Sequence, residues 1–192
     1  MNPAWRAAAV LTDPATAWQE IATESGDPAY LLSRYVAYLA LVPAICGFVG
    51  ACVIGAAVPG LGTVRVPLLD GVFAAVFGYV ATTGTVILLG LFINALAPWF
   101  GGARNFDNAF KLAVYSYTPV WLAGIFLLLP GLRFLILTGF YGAYILWLGL
   151  PSLVKTSGPK QKLFALAIVV CALALTLIAA AAQRAMFSSP GL

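Results

Sequence analysis

The sequence predicts an all-α integral membrane protein, a bundle of five transmembrane helices preceded by a short amphipathic helix. Composition is the first observation: 62% of the 192 residues are hydrophobic and 8% are charged, whereas soluble proteins carry about 25% charged residues. The second is that several apolar runs reach the ~20 residues needed to cross a hydrocarbon layer. Such runs must be helical, because backbone groups in lipid have to find their partners within the segment.

Residues 1–34 form the only sizeable polar segment, and we predict that they make a cytoplasmic amphipathic segment. Asp13 and Pro14 have the chemistry of a helix N-cap followed by the first helical residue. The helix after them places one apolar stripe at Ala15, Trp18, Ile21 and Ala22. A helix of this kind lies in the headgroup layer or docks on the bundle, either as a packed lid or as a docking site for a partner.

Five membrane spans follow within residues 35–192. Their predicted limits are 35–58, 71–97, 109–129, 132–150 and 163–182. Pro59 and Gly60 are expected to end the first span, and a short tail with Arg184 follows the last. Since the apolar part begins only near Tyr35, no signal peptide is expected, and the first span should act as an uncleaved anchor.

The basic residues predict the orientation of the spans. With a cytoplasmic N-terminus, that side holds seven of them: Arg6, Arg34, Arg104, Lys111, Lys155, Lys160 and Lys162. The opposite side holds three, Arg65, Arg133 and Arg184. Because cytoplasmic loops carry the excess of lysine and arginine, this count favours a cytoplasmic N-terminus. The lysines near the fifth span should also contact anionic membrane lipids.

Small residues at helical spacing predict where helices pack closely, because they let backbones approach each other in lipid. They lie four residues apart: Gly47, Ala51 and Gly55 in the first span, Ala74 and Gly78 in the second, Gly139 and Ala143 in the fourth. Such positions favour contact with another copy of the chain or another membrane protein.

The third and fourth spans form a hairpin that carries most of the polar side chains expected within the membrane. Its candidate polar pocket consists of Tyr115, Tyr117, Thr118, Pro119, Tyr141 and Tyr144. Pro119 lies inside a helix, where it removes one backbone hydrogen bond and bends the helix. A turn at Pro130 and Gly131 places Pro119 level with Gly142 and Tyr117 level with Tyr144.

Two interpretations of this hairpin remain open. In one, Tyr115, Tyr117 and Tyr144 frame a pocket that opens to the cytoplasm beside Gly149. In the other, the tyrosines anchor the helices at the interface and the proline is only a structural kink.

At the ends of the third and fourth spans, Lys111 and Arg133 are expected to extend toward the interface, as long basic side chains can. The loop that begins at Asn105 is predicted to cap the third helix.

The chain lacks the residues that most catalytic and metal sites require. It contains no histidine, and Cys46, Cys52 and Cys171 lie in apolar runs, as expected of buried structural thiols. The six carboxylates lie outside the predicted spans: Asp13, Glu20, Glu24, Asp27, Asp70 and Asp107. We therefore predict no catalytic, cofactor-binding or metal site, no proton relay and no enzyme. The net charge of +4 comes from lysines and arginines that orient the spans in the membrane, so no nucleic-acid partner is expected.

The segment from Asn105 to Lys155 contains YSYTP, a Leu-Leu-Pro turn and YGAYILWLGLP before the lysine. It resembles the YIP-domain family (Ypt-interacting-protein type) of multi-spanning membrane proteins. The sequence LTDP at residues 11–14, with Trp18 and Ile21 after it, is similar to the N-terminal segment of bacterial members. The resemblance implies a five-helix bundle with a cytoplasmic N-terminus, in agreement with the count of basic residues. For a bacterial member this means the inner membrane, and the count places the C-terminus in the periplasm.

Eukaryotic members of that family bind small GTPases and carry an acidic, aromatic, proline-containing motif in a longer N-terminus. Residues 1–34 show no such motif, so a small GTPase is not expected as a partner. Two functions remain. The first is a scaffold, adaptor or assembly factor acting through helix–helix contacts. The second is a carrier or channel for a small solute, with the tyrosine-lined kink as its site.

Overall fold

The structure, a computed structural model, describes residues 2–60, 62–156 and 158–187. Two short helices come first, α1 (Pro3–Thr12) and α2 (Pro14–Thr23). The five long apolar helices are α3 (Pro28–Ile54), α4 (Leu68–Phe100), α5 (Phe106–Leu128), α6 (Pro130–Val154) and α7 (Pro159–Met186). A two-stranded antiparallel hairpin, β1 (Ala56–Val58) and β2 (Gly62–Val64), joins α3 to α4.

These five helices are long and apolar enough to cross a membrane, so the predicted bundle of five spans is confirmed. Most of the helices extend a few residues beyond the predicted limits, because helical caps and first turns are polar and escape a hydropathy count. Asp70 and Asp107 consequently lie in the first turns of α4 and α5. Residues 188–192 of the predicted tail lie outside the described residues.

The N-terminal segment holds two helices where the sequence predicts one. Asn2 caps α1 by accepting a hydrogen bond from the backbone N–H of Ala4 at 3.0 Å. Asp13 caps α2 as predicted, accepting from the N–H of Thr16 at 3.3 Å, and hydrogen bonds from Thr16 lower the pKa of that carboxyl. A ten-residue helix such as α1 is marginal alone, so packing of its buried face stabilises it.

The apolar stripe of α2 is shifted from its predicted position. Its buried residues are Pro14, Ala17, Trp18 and Ile21, whereas Ala15 and Ala22 are exposed. The buried set follows the i, i+3, i+4, i+7 pattern of a helix face. Of the two locations predicted for this helix, the structure has it docked on the bundle.

The first span ends earlier than predicted, and this corrects the role of Gly55. The helix stops at Ile54, and Gly55 has a φ of 79°, in the left-handed region that favours glycine. A Cβ added to Gly55 would lie 2.7 Å from the carbonyl oxygen of Val64 in β2. Gly55 therefore belongs to the chain reversal into β1 and is not a helix-packing position.

Helix α5 is the centre of the bundle. In its most apolar stretch 67% of the residues are buried, against 17% in α7. Its start is capped by Asn105, which accepts from the N–H of Asn108 at 3.0 Å, as predicted. The polar side chains of α5 between Lys111 and Thr118 are all buried and therefore face other helices and not lipid.

The register of the α5–α6 hairpin is the predicted one. A Cβ added to Gly142 would overlap the carbonyl oxygen of Ser116 and lie 3.9 Å from Cδ of Pro119. A Cβ on Gly139 would lie 3.2 Å from Cα of Val120. Both glycines thus allow the two helices to approach closely beside the proline.

Candidate functional site

A buried cationic cluster lies where α1 and α2 pack on the start of α5. Lys111 is only 3% exposed. Its Nζ donates to the carbonyl oxygens of Ile21 at 3.1 Å and Glu24 at 2.5 Å. These carbonyls end α2, where a cation is favoured by the helix dipole and by unpaired acceptors. Helix α2 has no basic residue in its own last turn, so Lys111 supplies that charge.

Arg6 completes this cluster from α1. It is 4% exposed, and its guanidinium donates to the carboxylates of Glu20, at 3.3 Å, and Glu24. Glu24 therefore holds Arg6 with its side chain and Lys111 with its backbone. The prediction that Lys111 extends to the interface is wrong, because the docked α2 offers buried acceptors that a hydropathy pattern does not show.

An aromatic layer lies next to this cluster. The indole N–H of Trp18 donates to the carbonyl oxygen of Ile145 at 2.9 Å. The ring of Tyr115 packs edge-on against those of Trp18 and Tyr35, with centroid distances of 6.1 and 5.0 Å. The hydroxyls of Tyr35 and Thr118 are hydrogen-bonded at 2.9 Å. These contacts tie α2, α3, α5 and α6 together.

A second polar layer joins α5 to α4 and α7. The hydroxyls of Tyr117 and Thr176 lie 3.2 Å apart. The indole N–H of Trp121 donates to the hydroxyl of Thr82 at 3.0 Å. The rings of Tyr117 and Trp121 pack edge-on with centroids 5.3 Å apart.

The six candidate pocket residues do not form one pocket. Tyr115, Tyr117, Thr118 and Pro119 are buried within the bundle. Tyr141 and Tyr144 lie on its outer face, 38% and 52% exposed, and the hydroxyl of Tyr141 donates to the carbonyl oxygen of Leu11. A Cβ on Gly149 would lie 2.6 Å from the indole of Trp18, so α2 covers the predicted opening.

Two cavities of useful size lie in the described part of the bundle. The first, about 380 Å³, lies between α3, α4, α5 and α7, and Gly47, Ala51, Ala74 and Gly78 line it. The second, about 270 Å³, lies between α4, α5, α6 and α7, and Ser116 and Ala143 line it. Tyr117 and Thr176 contribute to both. The described residues contain no group of three or more potential metal ligands.

Almost the whole of this bundle matches a known protein family. The model of the Yip1 domain matches residues 8–181. The chain belongs to the Yip1 domain family. The match begins within α1 and ends within α7, so the second half of α1 and all of α2 lie inside the domain. The resemblance predicted from YSYTP and YGAYILWLGLP is confirmed.

This Yip1 domain protein has curated relatives in Escherichia coli. Inner membrane protein YohC of strain K12 is 28% identical over 151 residues, which cover 76% of this chain and 77% of the relative. YohC of Escherichia coli O6:H1, strain CFT073, shows the same values. No solved structure matches the chain. Family and fold together make it a multi-pass membrane protein.

Proposed function

We propose that this Yip1 domain protein is a non-enzymatic protein of a bacterial inner membrane that acts through helix–helix contacts, as a scaffold, adaptor or assembly factor. The inner-membrane location follows that of the YohC relatives, which are inner membrane proteins. The observation that carries the contact function is the first cavity, which we call the small-residue groove. It is lined on α3 by Gly47 and Ala51 and on α4 by Ala74 and Gly78.

The small-residue groove contains the small residues typical of a contact between helices, but its glycines are not in close contact with a neighbouring helix of the described structure. A Cβ on Gly47 would meet only Cδ1 of Leu127, at 3.6 Å, and one on Gly78 would meet nothing within 4 Å. By contrast, a Cβ on Gly142 would overlap a neighbouring backbone. Small residues in membrane helices normally mark close backbone approach, so this groove fits side chains from another helix.

A second copy of the chain is the partner we propose. Large side chains border the groove region on α3 and α4 and are more than half exposed: Ile45, Phe73 and Val76. Two copies related by a two-fold axis could each insert such side chains into the groove of the other. If another membrane protein occupied the groove in place of the second copy, the contact function would stand and only the partner would differ.

The carrier hypothesis receives less support from the geometry. The hydroxyls of Tyr35, Thr118, Tyr117 and Thr176 are bonded to one another in pairs. Trp18 covers the opening predicted beside Gly149. A polar solute would therefore find the hydroxyls of Tyr35 and Tyr117 already paired and the predicted opening beside Gly149 closed.

Enlarging the groove residues tests the contact function. We expect Ala51→Leu and Ala74→Leu to fill the groove and to weaken association of two copies by about tenfold, equivalent to ~1.4 kcal/mol. The measurement is native mass spectrometry of the protein extracted with its surrounding lipid, supported by energy transfer between labelled copies in vesicles. Ala174→Leu, on an exposed face of α7 outside both cavities, is the matched control.

Wild-type protein that remains a lone monomer would refute the contact function. A defined mass containing a different polypeptide would replace the second copy with that polypeptide.

We also propose a cytoplasmic N-terminus. Arg6 and Lys111 are buried, but five of the seven basic residues assigned to that side remain exposed: Arg34, Arg104, Lys155, Lys160 and Lys162. Five against three on the opposite side still favours this orientation. With Lys160→Cys in a chain that lacks its native cysteines, an impermeant thiol reagent should label inverted vesicles and not intact cells. Labelling of intact cells would reverse the orientation.

A further inference from the structure

The second cavity, about 270 Å³ in volume, opens toward the bilayer on one side. The side chains that border this opening face the surrounding lipid: Leu137, Phe140 and Leu173 are 61%, 54% and 41% exposed. None of the residues that line the cavity is charged. A molecule in the bilayer can therefore enter the cavity from the side without passing through a headgroup layer.

The polar atoms of the lining are not available to a ligand. The hydroxyls of Tyr117 and Thr176 are hydrogen-bonded to each other at 3.2 Å. The Oγ of Ser116 is fully buried and is not accessible from the cavity. Apolar cavities do not hold water, and a cavity that opens to lipid is filled by what lies beside it. The wall of the second cavity therefore suits a hydrocarbon chain.

The length and position of the cavity match one leaflet of a bilayer. Helix α7 borders it from Ile168 to Thr176, a rise of about 12 Å along the helix axis. Lys162 precedes Ile168 by six residues, or about 9 Å. The cavity thus extends from about 9 to about 21 Å from the level of Lys162. Half of a bilayer that is about 40–45 Å thick with its headgroups has nearly the same depth.

Lys162 also lies on the face of α7 that leads into the cavity. Leu166 and Lys162 precede Leu173 by seven and eleven residues, which are close to two and three full helical turns. Both side chains are exposed. A lysine can lay its apolar stem along such a stripe and hold its ammonium group at the membrane surface. The stripe therefore joins a cation at the headgroup level to an apolar space for a chain.

We propose that the second cavity and Lys162 together bind one anionic phospholipid. The phosphate lies at the ammonium group of Lys162, and one acyl chain follows the stripe on α7 into the cavity. The volume is below the ~300 Å³ at which pockets for drug-sized ligands begin, so the cavity holds part of one chain while the other chain stays in the bilayer. The site is independent of the contact function, which rests on the small-residue groove.

The test uses the full chain in nanodiscs of equal parts phosphatidylethanolamine and phosphatidylglycerol. The probe is a phosphatidylglycerol with a photoactivatable diazirine in one acyl chain. We expect native mass spectrometry to show one retained phosphatidylglycerol per chain, and cross-links to concentrate on Leu137, Phe140 and Ala172. Ala172→Phe should fill the cavity and abolish both signals. Ala174→Phe, exposed on α7 and outside the cavity, is the matched control and should behave as the wild type does.

A second pair of variants tests the headgroup contact even if Ala172→Phe folds poorly. A lysine near an anionic membrane surface changes affinity about fivefold, so Lys162→Gln should lower the retained ratio of phosphatidylglycerol to phosphatidylethanolamine by about that factor. Lys160→Gln removes the same charge from an exposed position about 200° around the helix and should leave the ratio unchanged.

Three results would overturn the proposal. Cross-links spread evenly over exposed positions elsewhere, such as Val80 on α4, would mean that the chain belongs to bulk lipid. Wild-type protein that retains no phospholipid would exclude the site. Retention of the two lipids in the ratio of the nanodisc would exclude a selective contact at Lys162.

Discussion

Lys111→Met is expected to release the N-terminal helices from the bundle. Methionine keeps most of the length of the side chain but cannot donate to the carbonyl oxygens of Ile21 and Glu24. Hydrogen bonds from a charged donor contribute about 1.5–3 kcal/mol, so the variant should lose about 3 kcal/mol of folding free energy. Hydrogen exchange should become much faster in α1 and α2 while α5 stays protected, and the melting temperature should fall.

Lys160→Met is the matched control, because Lys160 is exposed at the start of α7. It should leave both measurements close to those of the wild type. Equal effects of the two substitutions would contradict the docking role of Lys111 and would indicate that lost charge alone matters.

Trp18→Ala is expected to have an effect of similar or larger size. The side chain is 1% exposed, contacts Tyr115 and donates to the carbonyl oxygen of Ile145. Removing a buried aromatic ring costs about 3–5 kcal/mol through lost contacts and the cavity that remains. The measurement is thermal unfolding in nanodiscs, together with hydrogen exchange of α2 in the wild type and in the variant.

Two tryptophans offer a control for this change. Trp5 and Trp99 are 73% and 80% exposed, and replacing either by alanine should change the melting temperature little. Trp18→Phe should fall between, since it keeps one aromatic ring but loses part of the buried volume and the hydrogen bond to Ile145. If Trp18→Ala unfolded at the temperature of Trp99→Ala, the role of Trp18 in fastening α2 would be refuted.

Much of this fold can be predicted from the sequence because its causes are local. Apolar length defines the spans, and short polar side chains before a helix define caps, as at Asp13 and Asn105. Pro119 and Gly142 lie at the same depth in the membrane, which follows from the helical rise and the position of one turn. None of these inferences needs knowledge of distant contacts.

The incorrect predictions have the opposite cause, because they concern contacts between residues far apart in the chain. Lys111 is buried only because acceptors 87 and 90 positions away in the chain lie beside it. Gly55 could not be separated from a helical ladder, because the residues of β1 are as apolar as those of α3. The six predicted pocket residues divide between interior and surface, because equal depth in the membrane does not say which way a side chain faces. Trp18 covers the opening predicted beside Gly149. The second cavity, lined by Ser116 and Ala143, had no signal in the sequence beyond one serine among tyrosines.

The docked α2 also has a consequence for biogenesis. Trp18 is separated by 127 positions from its acceptor at Ile145, which a ribosome synthesising about 5–20 residues per second reaches some 6–25 s later. Throughout that interval Trp18 lacks its acceptor, and for the first 87 positions after Glu24 the end of α2 also lacks Lys111. The segment therefore needs shelter from a chaperone or the membrane surface. Closure of the N-terminus over α5 and α6 can therefore report that the fourth span has been inserted.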